Sequence, residues 1–160
     1  MAQKLKYIEG LVPLLLNFAI LEGSIDDEFE KAELLAQEYT FEKMRANISL
    51  TCHSLKDLRA LDHPYAKRDP QPIHRPQWLV HLQDGTLVNA LEKTGEDLSD
   101  GTKIRSVGID ESKAPHATDI IYGTSKMVGR DFITETFAQV ESTLMGFYEA
   151  AQQNALKHFE

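Results

Sequence analysis

The sequence is poor in the features that mark secreted, membrane and nucleic-acid-binding proteins. Cys52 is the only cysteine, so no disulfide can form within the chain, which is typical of a reducing compartment. The 17 Lys and Arg residues are outnumbered by 25 Asp and Glu residues, and the net charge of −8 makes the chain a poor ligand for phosphate backbones. No apolar run reaches the roughly 20 residues that a bilayer requires. We therefore expect no membrane segment and no specific DNA binding.

The chain does contain a shorter apolar stretch at residues 11–21. Glu9 precedes it, Pro13 interrupts it and no small-residue cleavage site follows, so a secretion signal is not expected. Pro13 suits the first turn of a helix, and a helix that is apolar nearly all round must be buried in the core or against another subunit. Gly23 and Ser24 are predicted to end this helix.

A second, longer helix is predicted over residues 25–47. Ser24 and Asp27 form a capping box at its start. Two apolar stripes run along it, so it has two packing partners, either both within the core or one in a neighbouring subunit. The stripes comprise Phe29, Ala32, Ala36 and Tyr39 on one face and Leu34, Phe41, Met44 and Ile48 on the other.

A proline-rich arm follows at about residues 63–77, after a short helix that begins near Ser54. The arm holds four of the six prolines together with the basic residues Lys67 and Arg68. Proline cannot donate to a sheet ladder, so the arm is predicted to be extended and outside any sheet. It either reaches a neighbouring subunit or makes an ordinary surface connection.

The middle of the chain is predicted to be a small antiparallel sheet. Residues 78–83 and 86–91 form a hairpin around Asp84-Gly85, although the second of these segments could equally begin a short helix. Residues 98–101 form a further turn, and residues 102–109 form a strand.

The clearest helix lies at the C-terminal end, after a helical turn at residues 115–122. Its apolar positions recur at steps of four and three: Ile133, Phe137, Val140, Leu144, Phe147 and Ala151. These patterns predict one α+β domain over residues 1–160. It comprises N-terminal helices including one long helix, a small antiparallel sheet in the middle and a long amphipathic C-terminal helix.

Residues 122–132, Tyr-Gly-Thr-Ser-Lys-Met-Val-Gly-Arg-Asp-Phe, lead into that last helix and form the most distinctive stretch. Gly123 and Gly129 bracket a loop, because glycine tolerates positive φ or lets another backbone approach closely. Lys126 and Arg130 add positive charge, and Asp131 is placed to cap the helix. The stretch is predicted to be a shaped loop that inserts into a partner.

Catalytic motifs are absent from the sequence, so we expect no enzyme, no cofactor and no metal. Gly123-Thr-Ser-Lys126 lacks the order of a phosphate-binding loop, and no serine lies in a nucleophile elbow. The soft ligands of one region fit no zinc spacing. A metal-assisted hydrolase that uses them is the less favoured alternative; they are His53, His63, His74 and His81.

Residues 122–133 resemble a signature of the neck, or tail-completion, proteins of long-tailed bacteriophages. In that family an aromatic or acidic residue, Gly-Thr and a small, basic segment lead to the Phe that opens the last helix. Residues 54–66 resemble a helix and His-Pro-Tyr-Ala turn of some members, and residues 81–87 resemble the family's Thr-Gly-x-Leu step. Here Asp84-Gly85 replaces Thr-Gly, and Asp131 stands where many members have proline.

The resemblance implies a structural virion protein, made in the host cytoplasm, that forms a hexameric or dodecameric ring at the head–tail junction. Such a ring joins the portal-connector stack to the tail tube, contacts neighbouring connector and tail proteins and leaves a channel for DNA. We expect the subunit or partner interface to include Tyr65, Lys67, Arg68, Tyr122, Gly123, Thr124, Lys126, Met127, Arg130 and Phe132. The alternative is a small monomeric or dimeric adaptor, because the same apolar surface serves one partner as well as several.

Overall fold

The fold is built on two long antiparallel helices, seen in a computed structural model that describes residues 11–49, 56, 80, 82, 85–125 and 129–157. The first, α1, is Leu11–Asn47, and the last, α4, is Phe132–Lys157. Between them lie the short helix α2 (Thr86–Asn89), the strands β1 (Leu91–Asp97) and β2 (Lys103–Ile109), and the short helix α3 (Ala117–Tyr122). The predicted α+β class, with one long helix near each end and a small antiparallel sheet, is confirmed.

Helix α1 is continuous, and the predicted break at Gly23 and Ser24 is wrong. Gly23 keeps an ordinary negative φ, and a side chain added there would meet no atom within 4 Å. A glycine inside a helix costs only about 1 kcal/mol relative to alanine. That cost does not end a helix when the residues on both sides favour helix, so the two predicted helices are one.

The seam between α1 and α4 is lined by small and medium side chains. The buried residues are Ala32, Ala36, Thr40 and Asn47 on α1 and Thr136, Val140, Ala151 and Ala155 on α4. At one end, the Asn47 side-chain amide donates to the Thr136 hydroxyl at 2.8 Å. Aromatic pairs flank the seam, with Phe29 and Tyr148 at 6.1 Å and Tyr39 and Phe147 at 5.9 Å between ring centroids. Small residues let the two backbones approach closely, which favours dense packing.

The β1–β2 hairpin differs from the predicted sheet in its first strand. The turn at 98–101 and the strand at 102–109 are confirmed, but the partner strand is Leu91–Asp97, which pairs from Leu91 opposite Ile109 to Asp97 opposite Lys103. Residues 86–89 are helical, which was the alternative for this segment. Gly85, at φ +81°, begins that helix and makes no hairpin turn.

The core lies where the C-terminal end of α1, the base of the hairpin, α3 and the start of α4 meet. It contains Met44, Ile48, Val80, Leu87, Ala90, Leu91, Ala114, Ala117 and Phe132. The Val80 N–H donates to the Asn47 carbonyl at 3.0 Å, so the chain before α2 returns to the end of α1. This core anchors the two ends of the loop that the sequence singles out.

Candidate assembly interface

Both glycines that bracket the 123–129 loop are required by its backbone. Gly123 has φ +78°, a conformation that L side chains rarely adopt. At Gly129 an added Cβ would lie 2.7 Å from the Ile121 carbonyl oxygen and 2.7 Å from the Tyr122 carbonyl carbon, so only glycine fits. The loop therefore leaves α3 and returns against the same helix. Gly123 supplies the predicted positive φ, and Gly129 allows the predicted close approach of another backbone.

The returning strand of the loop is fastened to α3 by its backbone. The Arg130 N–H donates to the Ile120 carbonyl at 2.7 Å. One residue later, an Asp131 carboxylate oxygen accepts the Thr134 N–H at 3.0 Å, so the predicted cap of the last helix is confirmed. The base of the loop is thus held by α3 on one side and by the first turn of α4 on the other.

Tyr122 stands at the outer edge of this base. It is the last residue of α3, and at 80% it is the most exposed large apolar side chain of the described residues. Gly123 and Thr124 follow it and are partly buried. An exposed tyrosine on a fixed base is a common anchor of protein interfaces, because it supplies a large contact area and one hydrogen-bonding group at low entropic cost.

Two of the predicted interface residues lie in the interior instead. Arg130 is 1% exposed and Phe132 is fully buried, so neither side chain is presented to a partner. Phe132 joins the core cluster with Met44 and Leu91. The sequence predicted a cation on the loop surface at Arg130; its side chain instead lies in the interior, and its backbone N–H donates to the Ile120 carbonyl of α3.

The other predicted interface residues fall outside the described residues. They are Lys126 and Met127 in the loop and Tyr65, Lys67 and Arg68 in the arm at about 63–77. The capping box at Ser54 and the four histidines of the alternative metal site, His53, His63, His74 and His81, also lie outside them.

The hairpin lies on α1 through polar contacts that sequence reasoning missed. The Gln37 side-chain amide donates to the Thr94 carbonyl at 2.6 Å and to the Ser106 carbonyl at 2.9 Å, so it bridges both strands. Lys103 pairs with Glu30 at 2.7 Å, and this hydrogen bond raises the pKa of the lysine. A signal was present in the sequence, because basic residues recur on one hairpin face opposite the acidic positions of α1.

Two further basic residues continue this contact. Lys93 pairs with Glu38 at 2.5 Å and lies 4.9 Å from the centre of the Phe41 ring. Arg105 donates to Asp97 at 2.6 Å, which raises the pKa of the guanidinium, and lies 4.0 Å from the Glu33 carboxylate. The Arg105 side chain crosses Gly95, where an added Cβ would come within 3.2 Å of Nη1.

A compact acidic turn follows the hairpin. One Asp110 carboxylate oxygen accepts the Ser112 N–H at 2.9 Å and the other pairs with Lys113 at 2.7 Å. The hydrogen bond from Lys113, followed by that from Ser112, lowers the pKa of Asp110 to about 2. The turn directs the chain from β2 into α3 and so toward Tyr122.

The described residues hold no group of three or more His, Cys, Asp and Glu side chains with the geometry of a metal site. Within the same residues, no helix combines the length and apolar character needed to cross a membrane. No protein family, no curated protein and no solved structure matches the chain. The fold is α+β, and Tyr122 is its most exposed large apolar side chain among the described residues.

Proposed function

We propose that the chain is a structural virion protein that forms a ring at the head–tail junction of a long-tailed bacteriophage. The ring joins the portal-connector stack to the tail tube and leaves a channel for DNA. The observation that carries the proposal is the Tyr122 surface. It lies within the stretch that resembles the neck-protein signature, on a base whose backbone requires both bracketing glycines.

The fixed base supports a docking role, because a loop whose ends are already held loses less conformational entropy when it binds. Its two ends meet at α3 through the Arg130–Ile120 backbone bond of 2.7 Å. Preorganisation of this kind increases affinity by lowering the cost of ordering. Tyr122 and the loop residues Lys126 and Met127 are the side chains that we expect to contact an adjacent subunit or an axial neighbour.

Exposed apolar surface on α1 further supports assembly into a ring. Large apolar side chains with substantial exposure on this helix include Phe18, Ile20, Leu34 and Leu35. A ring is a closed set of heterologous contacts, in which each copy offers one surface to a different surface of its neighbour. Six or twelve copies would close such a ring.

The charge of the chain suits a passage for DNA. With a net charge of −8, a ring of identical copies repels phosphate, so DNA can move through without being gripped. The role needs no catalytic residue, cofactor or metal, and its partners are further copies of the chain and the connector and tail proteins on either side.

The experiment is complementation of head–tail joining with a Tyr122→Ala chain that also carries Lys126→Glu. Replacing Arg130 is unsuitable, because its burial would make the variant a test of folding. We expect Tyr122→Ala with Lys126→Glu to leave heads and tails separate while the thermal unfolding of the domain is unchanged.

The matched control is Phe137→Ala, which removes another exposed aromatic side chain from the surface of α4. It should join heads to tails at the normal yield. A normal virion yield from the Tyr122 and Lys126 variant would refute the proposed docking surface.

A further inference from the structure

The apolar stripe by which α1 packs on α4 continues past the region that α4 covers. Asn154, three residues before α4 ends, contacts Glu28 at 3.4 Å. From Phe29 toward the N-terminus, Ile25, Leu21 and Phe18 follow at steps of four, four and three, which keeps them on one face of the helix. We refer to Phe18, Leu21 and Ile25 as the stripe extension.

The stripe extension is open to solvent. Phe18 is 59% exposed, Ile25 is exposed and Leu21 is partly buried. On the opposite face of the same turns, Ile20 is 53% exposed. Residues 11–24 extend α1 by about 21 Å beyond the Ile25 level, at 1.5 Å per residue. A helix that is apolar on two faces over this length is expected to be covered in its working state.

Charge restricts what can cover it. Residues 11–25 contain one ionisable side chain, Glu22, whereas the whole chain has a net charge of −8. Two copies of an acidic chain repel each other over most of their surfaces, and this segment is where they can approach without bringing carboxylates together. The spacing of three and four also favours a helix as the covering element, as α4 already shows along the rest of the stripe.

We infer that the stripe extension packs against the opposite, Ile20 face of the same segment of α1 in a second copy of this chain. Within one chain, α4 covers the stripe of α1 from Phe29 onward. Beyond the end of α4, the second copy covers the same stripe at the stripe extension. Ile20, on the opposite face, leaves a second surface for a further copy, as a closed ring requires. The inference deepens the proposed function and rests on its premise that copies of the chain assemble.

The test is the self-association of the purified full-length protein, measured by analytical ultracentrifugation over about a hundredfold range of concentration. The variant Phe18→Glu places a charge in the stripe extension and should weaken self-association by more than about tenfold. Phe18→Ala should weaken it less. Met145→Glu, at a site of similar exposure (57%) on α4, is the matched control and should associate like the natural chain.

Circular dichroism must show equal helix content in all variants, so that a change in self-association reflects the altered surface and not a loss of folding. A natural chain that is monomeric throughout the range overturns the inference, as does equal association of Phe18→Glu. A monomer that instead binds anionic lipid vesicles through Phe18 also overturns it, in favour of a lipid surface.

The inference and the proposed function fail separately. If Phe18→Glu abolishes self-association and the natural protein binds neither heads nor tails, the copy contact stands and the head–tail role falls. If Phe18→Glu self-associates like the natural chain and joins heads to tails at full yield, the role stands and the stripe extension is not the contact between copies.

Discussion

Helix α1 packs against α4 on one side and against the β1–β2 hairpin on the other, and the two contacts differ in chemistry. The α4 side is a seam of buried alanine, threonine and valine, and the Asn47 side-chain amide donates to the Thr136 hydroxyl across it. The hairpin side is joined by Gln37 and by ion pairs such as Glu30 with Lys103. Apolar packing changes little with moderate concentrations of NaCl, whereas exposed ion pairs weaken as the NaCl concentration rises.

Because of this difference in chemistry, the two sides of α1 are expected to open at different free-energy costs. The seam is expected to open only with global unfolding, since its side chains are buried together with the core. Beyond the apolar contacts of Leu91, Val107 and Ile109, the hairpin is mostly exposed and is held by polar groups, so it is expected to separate from α1 locally. The neighbouring residues Ala36 and Gln37 face the two sides and allow them to be compared directly.

The largest effect is expected from enlarging the seam with Ala36→Leu. Ala36 is buried opposite α4, and extra methyl and methylene groups there would force the helices apart at a cost of about 1–3 kcal/mol. Urea unfolding measures the loss. Leu35→Ala, one residue away and exposed, is the control and should change stability by no more than about 0.5 kcal/mol. Equal losses in both variants would contradict a close-packed seam.

A smaller effect is expected from Gln37→Ala, which removes both side-chain hydrogen bonds to the hairpin. We expect the free energy of unfolding to fall by about 1 kcal/mol. The loss is small because the freed Thr94 and Ser106 carbonyls bond to water instead. Amide hydrogen exchange should accelerate in β1 and β2 and stay unchanged in the middle of α4. Gln139→Ala, on α4, is the control. Uniform acceleration throughout the domain would mean that the hairpin does not open by itself.

Ionic strength should affect the hairpin side alone. Raising the salt concentration screens the pairs of Lys93, Lys103 and Arg105 with the carboxylates of α1, so hairpin amides should exchange faster while seam amides do not. Glu30→Gln should remove part of this salt dependence. If amide exchange in the hairpin did not change with salt concentration, the ion pairs would not contribute to holding the hairpin on α1.

The smallest effect concerns pH and Asp110. The pKa of its carboxyl is lowered from 3.8 in the unfolded chain to about 2, chiefly by the hydrogen bond from Lys113. Its carboxylate therefore stabilises the fold above pH 3.8, and this contribution is lost as the pH falls toward 2. NMR titration of the carboxyl should show the low pKa. Lys113→Gln should raise it, and an unchanged value would contradict the assigned cause.

The sequence predicted elements well where one local rule decided the outcome. The three–four spacing from Ile133 to Ala151 identified α4, and Gly123 and Gly129 were assigned the roles that the backbone gives them. It failed at Gly23, which looked like a helix end. The cost of one glycine is too small to end α1, so the helix continues through it.

The same limit applies to the candidate site. Tyr122 is exposed as an interface residue must be, but Arg130 and Phe132 share its stretch and are buried. A charge pattern cannot show that the Arg130 side chain lies in the interior. The docking of the hairpin on α1 depends on residues about 60 positions apart, such as Gln37 and Thr94, which local periodicity does not connect.

The most direct test of the central claim is the native mass of the purified protein, measured alone and after mixing with isolated tails and with DNA-filled heads. The account predicts a ring-sized assembly of 18.1 kDa subunits, present in solution or formed on a tail or head. A protein that stays monomeric and binds neither structure would contradict the head–tail role and favour a small adaptor instead.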